Sequence, residues 1–106
     1  MGVDFGIQFI KRMIEAENYY YSDHAQYKMG KLSISDEQVV DCILHGELIE
    51  TQAGRQGENP RILFYNGHSK SFYVVVTISL PNCLIISVID VDWSEWEKNG
   101  NTIRRK

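Results

Sequence analysis

Two apolar runs near the C-terminal end decide the fold: Phe72-Tyr73-Val74-Val75-Val76-Thr77-Ile78 and Leu84-Ile85-Ile86-Ser87-Val88-Ile89. Both are rich in β-branched and aromatic residues and are bounded by turn formers, which is typical of strands. Successive side chains of a strand alternate between the two faces of a sheet. One face of this pair is therefore fully apolar and is expected to lie under helices, whereas the other face also carries Tyr73, Thr77 and Ser87. A mixed face predicts room for a partner or a substrate.

Two more strands precede these runs. Glu47–Thr51 alternates between polar and apolar residues, and Arg61–Tyr65 follows Pro60. Asn66-Gly67 is a strong hairpin signal and connects the second of these strands to the Phe72 run. We therefore predict an α+β fold in which helices pack on one face of a four-stranded antiparallel sheet formed by residues 47–91.

Helices are predicted before the strands. Residues 1–18 carry isoleucines at helical spacing, which indicates an amphipathic N-terminal helix. Asp23 and Gln26 have the spacing of a capping box, and Ser35 and Gln38 repeat that spacing one helix later. Two short helices are therefore expected to start at these two points.

The C-terminal end is predicted as a short helix followed by a loose tail. Asp92–Lys98 has a capped helical pattern in which Trp93 or Trp96 would close one end of the core. The basic residues 99–106 are expected to be frayed and solvated. The length of 106 residues predicts a single domain over 1–106.

Composition argues against several classes of protein. The formal net charge of −3 argues against a non-specific nucleic-acid binder. Cys42 and Cys83 have no CxxC spacing, so neither a metal nor another cofactor is expected. No run approaches the apolar length of a membrane helix, and no signal peptide is recognised. These features predict a cytoplasmic protein without a membrane partner.

The segment from Tyr19 to Lys28 carries the candidate chemistry. In the helix predicted from Asp23, His24 and Lys28 are four residues apart and share one face. A neighbouring ammonium disfavours protonation of the imidazole, which suits a general base near neutral pH. The alternative is a histidine that only hydrogen-bonds backbone near a helix start. The tyrosines of Tyr19–Tyr21 cannot all be core, so at least one ring should line a surface groove.

This segment also carries a family resemblance. The run His24-Ala25-Gln26-Tyr27-Lys28-Met29, followed by Ile34-Ser35, resembles the "His-Ala-x-x-Arg-Met … Ile-Ser" opening of a widespread prokaryotic family known as a domain of unknown function. The resemblance extends over residues 21–92. That family is similar in predicted architecture to the RelE/ParE toxins, which include MqsR and BrnT. Lys28 replaces the motif arginine, and so keeps its charge but loses its bidentate geometry.

The resemblance implies a RelE/ParE toxin-like fold and a first candidate function. It is a metal-independent endoribonuclease of a toxin–antitoxin system that acts on RNA, free or on the ribosome. His24 would be the base or acid, Lys28 and Arg61 would stabilise the phosphorane charge, and Tyr65 or Tyr73 would stack or donate a proton. For Arg61 the alternative is a plain surface residue.

The second candidate function is a non-enzymatic binding module. The mixed sheet face, the tyrosines and the N-terminal helix would contact an antitoxin-like protein or a second copy in a homodimer. Edge strands would allow strand addition.

Overall fold

The computed structural model describes residues 3–68 and 70–106. Three helices and seven strands follow one another within these residues. Their bounds are α1 Val3–Glu15, β1 Tyr19–Tyr21, α2 Asp23–Leu32, α3 Asp36–His45, β2 Glu47–Gln52, β3 Arg61–Asn66, β4 Phe72–Ser79, β5 Asn82–Asp90, β6 Trp96–Asn99 and β7 Thr102–Arg105. The helix predicted over residues 1–18 is thus observed as α1, and residues 1 and 2 lie outside the described range.

Strands β1 to β5 form one mixed sheet in the order β1-β5-β4-β3-β2. The pairs among β2, β3, β4 and β5 are antiparallel as expected, but β1 joins the edge of β5 in parallel. The prediction of a four-stranded antiparallel sheet of the RelE/ParE type is therefore wrong. Tyr19–Tyr21 is extended and rich in aromatic residues, and it completes the sheet with three residues.

Serine caps fix the starts of two helices. Ser35 accepts a hydrogen bond from the Gln38 amide at 3.1 Å, and the Gln38 side chain accepts one from the Ser35 amide at 2.9 Å, so the predicted capping box is confirmed. The cap of α2 is Ser22, whose hydroxyl accepts a hydrogen bond from the Ala25 amide at 3.0 Å. Asp23 is instead the first helical residue, where its negative carboxylate interacts favourably with the positive end of the helix dipole.

The helices cover one face of the sheet with the larger core. Ile10, Ile14, Val39 and Ile43 are among the helical residues of this core, and they pack against alternate residues of the central strands. Those strand residues are Ile62, Phe64, Phe72, Val74, Val76, Ile78, Cys83, Ile85 and Val88. Val76 and Val88 have no exposed surface and lie at the centre of this core.

A C-terminal hairpin covers part of the opposite face. Strands β6 and β7 pair antiparallel, with Asn99 opposite Thr102. Gly100 occupies the turn with a φ of 66°, a left-handed conformation that glycine adopts without steric cost. The predicted final helix and the predicted frayed tail are both wrong, because residues 96–105 instead bury Trp96 and Ile103 against the sheet.

No helix in residues 3–68 and 70–106 is long and apolar enough to cross a membrane.

Candidate functional site

The face opposite the helices is divided into a covered half and an uncovered half. The covered half is the small core under the hairpin, where Tyr65, Tyr73 and Trp96 are 6%, 7% and 1% exposed. The rings of Tyr73 and Trp96 lie 5.4 Å apart between centroids. Arg105 closes this core, since its guanidinium lies 4.1 Å above the centre of the Trp96 ring and its Nε bonds Glu50 at 3.0 Å.

The uncovered half begins after the row of Leu63 and Val75, which is the last row under the hairpin. Arg61 pairs with Thr77, Thr77 with Leu84, and Leu84 with Tyr20, so one row of side chains crosses the sheet from β3 to β1. A cavity of about 410 Å³ opens along this row. Its lining consists of Gly57, Glu58, Asn59, Arg61, Thr77, Ile78, Ser79, Leu84 and Ile86. We call this cavity and the adjoining Tyr20 the sheet groove.

Tyr20 forms one end of the sheet groove. Its hydroxyl lies 2.9 Å from that of Ser79, and the two hydrogen-bond. Tyr20 is in β1 and Ser79 in β4, and β5 lies between these strands. The phenol ring must therefore extend over β5, and it is 46% exposed. The result is an aromatic surface that is held in place at its polar tip.

The two neighbouring tyrosines point to the opposite face, as strand alternation requires. The hydroxyl of Tyr19 donates to Asp36 Oδ1 at 2.9 Å, and Tyr21 also donates to this carboxylate. Burial and the Asp36 hydrogen bond raise the pKa of Tyr19 to about 12 and also raise the pKa of Tyr21. Tyr19 and Tyr21 therefore anchor α3, which leaves Tyr20 as the surface ring. Of the three rings, Tyr19 is the one in a cavity lining, that of a separate cavity of about 410 Å³ beside Asp36 and Val40.

Arg61 supplies the positive charge at the other end of the sheet groove. The loop before it is fixed to β4, because Thr77 Oγ1 donates to the Pro60 carbonyl at 2.9 Å and Asn59 Nδ2 donates to the Ile78 carbonyl at 3.1 Å. Arg61 is half-buried. The ion pairs within residues 3–68 and 70–106 join Arg104 to Glu97 and Arg105 to Glu50, so Arg61 is in neither pair, and Glu58 adds a carboxylate to the lining of the same groove.

His24 is in the first turn of α2, which begins at the edge of this groove, and the lining of the cavity includes neither His24 nor Lys28. The Ser22 amide donates to the Ile85 carbonyl at 3.0 Å, and the Ser22 hydroxyl donates to the Ile86 carbonyl at 2.7 Å. Because Ile86 lines the sheet groove, these two bonds attach the first turn of α2 to the groove edge. His24 is exposed in that turn, and Lys28 is half-buried one turn later.

The remaining two predicted site residues are in the covered half. Tyr65 and Tyr73 are cross-strand partners, four positions along β3 and β4 from the pair of Arg61 and Thr77. At about 3.4 Å per residue this separation is about 14 Å. Burial raises the pKa of Tyr73, which disfavours ionisation of its phenol. The structure thus brings Tyr65 and Tyr73 together, but it does not bring them to Arg61.

Tyr65 instead contributes to a second cavity of about 510 Å³ at the end of β3. Its lining also includes His45 at the end of α3, Glu47 at the start of β2, His68 after β3 and Lys98 in β6. His45 lies in the last turn of α3, directly before the Gly46 cap.

The two cysteines are structural. Both are fully buried, and burial raises the pKa of Cys42 to about 12 and that of Cys83 to about 11. The Cys42 thiol donates to the Phe64 carbonyl at 3.2 Å, inside the larger core. In the part of the chain that the structure describes, no group of three or more His, Cys, Asp or Glu side chains is arranged to hold a metal ion.

Sequence reasoning missed Tyr20, Leu84 and Ile86 as groove residues. Strand alternation within Tyr19–Tyr21 is the signal that separates the middle ring from its neighbours. Ile86 had no such signal, because the register between β4 and β5 shifts after Val75 and leaves Ile86 without a cross-strand partner. The bulge places Ile86 on the same face as Leu84 and Ser87.

Comparison with known proteins gave one match. The model of the family described as "Domain of unknown function (DUF4258)" matches residues 21–90, which include Tyr21, α2, α3 and strands β2 to β5. Searches of the curated proteins and of the solved structures found no match.

Proposed function

The chain belongs to the DUF4258 family, whose description assigns no activity, and we propose from the sheet groove that it is a metal-independent endoribonuclease. The observation that carries the proposal is the position of Arg61 and of the start of α2 on two sides of one groove. Arg61 lines the groove directly. The helix that carries His24 is hydrogen-bonded to Ile86, which is another lining residue.

The proposed reaction attacks a phosphodiester from within the RNA strand. The 2′-oxygen forms a bond to the adjacent phosphorus, and the 5′-oxygen of the next nucleotide leaves. A base takes the proton of the 2′-hydroxyl, an acid protonates the leaving oxygen, and a cation stabilises the extra negative charge on phosphorus. His24 is assigned to proton transfer and Arg61 to charge stabilisation. Lys28, one helical turn from His24, adds a second positive charge.

The dimensions of the sheet groove fit this assignment. From Arg61 across Thr77 to Leu84 there are two strand spacings of about 4.8 Å, or about 10 Å in all. A phosphodiester in this interval would lie within reach of Arg61, which lines the groove, and the proposal has His24 approach it from the start of α2. Tyr65 and Tyr73 receive no role in the proposal, since both are buried under the hairpin.

The test is cleavage of a labelled RNA, free and in the presence of ribosomes, with a chelator to exclude contaminating metal nucleases. His24→Ala and Arg61→Ala should each reduce the rate by about 10²–10⁴, which is typical of a lost acid, base or charge-stabilising group. The double variant should be little slower than either single variant, because groups that act as a unit are not additive.

Two exposed residues outside the groove are matched controls. Arg12 lies in the last turn of α1 and His45 in the last turn of α3. Arg12→Ala and His45→Ala should cleave as the wild type does. An inactive wild-type protein, or equal activity of His24→Ala and Arg61→Ala, would contradict the proposal.

The second candidate is a binding module without catalysis, and a different feature favours it. Strand β2 is an edge of the five-stranded sheet, and Leu48 on this strand is 45% exposed. Phe5 on α1 is 56% exposed. Such an edge can add a strand from an antitoxin-like protein or from a second copy. Light scattering over a range of concentrations tests the second copy: dimers that Leu48→Lys abolishes would support this candidate.

A further inference from the structure

We infer that Tyr20 is a base-stacking platform and that the sheet groove takes a single strand of nucleic acid. This inference rests on the proposed function for the identity of the site, but it concerns recognition and does not require cleavage. A base is available for stacking on a side chain when it is not already stacked in a duplex. A stacking surface in the groove would therefore select unpaired nucleotides.

The Tyr20 ring is held in one position on the sheet. Strand alternation directs it away from Asp36, to which both neighbouring tyrosines bond. Its hydroxyl is tied to Ser79, two strands away, so the ring lies across the sheet and has little freedom to lose when a base covers it. Preorganisation of this kind reduces the entropic cost of binding.

Along the row from Tyr20 to Arg61, the side chains change from apolar to polar to charged. Next to Tyr20 comes Leu84, which with Ile86 continues an apolar floor. Thr77 and then Arg61 follow, with a hydroxyl and a guanidinium. A nucleotide has the same order, from an apolar base face through the sugar to the phosphate. A base on Tyr20 therefore directs its phosphate towards Arg61, which can bind it through two nitrogen atoms.

Charge alone does not attract nucleic acid strongly to this protein. The chain carries a formal net charge of −3, so a general electrostatic attraction for nucleic acid is weak. The groove is lined by one guanidinium, that of Arg61, and one carboxylate, that of Glu58, so charge in the groove adds little affinity. Stacking supplies the remaining binding affinity without added charge. It tolerates any base because every base has a π-face.

Binding of a labelled decathymidylate, followed by fluorescence anisotropy, tests the inference. This DNA strand has no 2′-hydroxyl, so the proposed cleavage cannot occur and binding is measured alone. A strand of equal length with abasic sugars keeps the phosphates and removes the bases. Tyr20→Ala should weaken decathymidylate binding about 5- to 150-fold, the equivalent of the ~1–3 kcal/mol of one stacked base. It should leave binding of the abasic strand unchanged.

Three variants define the origin of the effect. Tyr20→Phe keeps the ring and loses only the Ser79 bond, so binding should fall by less than about fivefold. Arg61→Ala should weaken both strands, because both carry phosphates. Tyr27→Ala removes a ring that is 65% exposed on α2, outside the row of the sheet that carries Tyr20, and it should bind as the wild type does. The thermal midpoint of each variant establishes that it is folded.

Each outcome has one meaning for the platform. Unchanged decathymidylate binding by Tyr20→Ala, an equal loss on the abasic strand, or no binding by the wild type overturns it. Equal affinity of the wild type for a duplex of the same length overturns it as well. Tyr20-dependent binding without any RNA cleavage supports the platform and contradicts the nuclease proposal. RNA cleavage that Tyr20→Ala does not affect would support the nuclease proposal and contradict the platform.

Discussion

The covered and uncovered halves of one sheet face are built from similar residues but differ in what lies on them. In the covered half, Tyr65 and Tyr73 are paired across β3 and β4 and are buried beneath Trp96. In the uncovered half, the next rows of the same two strands present Arg61 and Thr77 to the sheet groove. The difference arises from the C-terminal hairpin, which ends its cover before it reaches that row.

The comparison separates residues that stabilise the fold from residues that remain available to a ligand. A tyrosine under a tryptophan contributes buried apolar area, and its phenol resists ionisation because burial raises the pKa, as at Tyr73. A tyrosine at the open end of the same sheet, such as Tyr20, contributes a surface. Residue type alone therefore does not identify the site, and the extent of the hairpin does.

The largest expected effect is in the covered half. Trp96→Ala removes a ring that is 1% exposed and leaves a cavity between the hairpin and the sheet, which should lower the free energy of unfolding by about 3–5 kcal/mol. Leu84→Ala, in the uncovered half, removes a partly exposed side chain and should cost less than about 1.5 kcal/mol. Urea denaturation measures both. Equal losses would mean that the two halves do not differ in burial.

The next effect is on the helix side of the same strand. Val76 is fully buried and lies next to Thr77, but on the opposite face of β4. Val76→Ala should lower the free energy of unfolding by about 1–3 kcal/mol through lost burial and a cavity. Because the groove does not include Val76, binding of decathymidylate at a temperature where the variant is folded should not change. Weakened binding by Val76→Ala would mean that a loss of stability alone reduces decathymidylate binding, and the losses in the groove variants could then have the same cause.

The helices and central strands could be predicted because their signals are local. The Ser35–Gln38 capping box and the alternation of Phe72–Ser79 are each contained in a few adjacent residues. The parallel pairing of Tyr19–Tyr21 with β5 has no such signal, because parallel partners are remote in sequence and this strand is three residues long. The groove depends on that pairing, so the position of Tyr20 beside Leu84 could not be predicted.

The sequence contains a hairpin signal at the C-terminal end, although the segment before it was predicted as a helix. Gly100-Asn101 forms the two-residue turn between Trp96–Asn99 and Thr102–Arg105 and is one of the favoured hairpin dipeptides. The spacing of Asp92 and Glu95 favoured a helix instead. In the structure, Asp92 Oδ1 accepts bonds from the amide and hydroxyl of Ser94, a turn that leads directly into β6.

The smallest expected effect is the pH dependence of the ion pair that closes the covered half. The hydrogen bond from Arg105 lowers the pKa of Glu50, and Glu50 raises the pKa of Arg105. Since the folded-state pKa of this carboxyl is lowered, the pair stabilises the fold above the ordinary glutamate pKa. That contribution is lost as the pH falls through the lowered value. Both side chains are partly exposed, at 25% and 43%, so solvent limits the contribution to under about 1 kcal/mol.

Glu50→Gln should therefore be less stable than the wild type at pH 7, and the difference should disappear at a pH below the folded-state pKa of Glu50. Urea midpoints at the two pH values measure this change. The control is Glu97→Gln, which breaks the 2.8 Å pair between Glu97 and Arg104. The side chain of Glu97 is 39% exposed and that of Arg104 is 63% exposed. Because Arg104 does not lie on Trp96, as Arg105 does, Glu97→Gln should have a smaller effect at pH 7. A larger effect for Glu97→Gln, or a difference for Glu50→Gln that persists in acid, would mean that the Glu50–Arg105 pair does not hold the hairpin over the sheet.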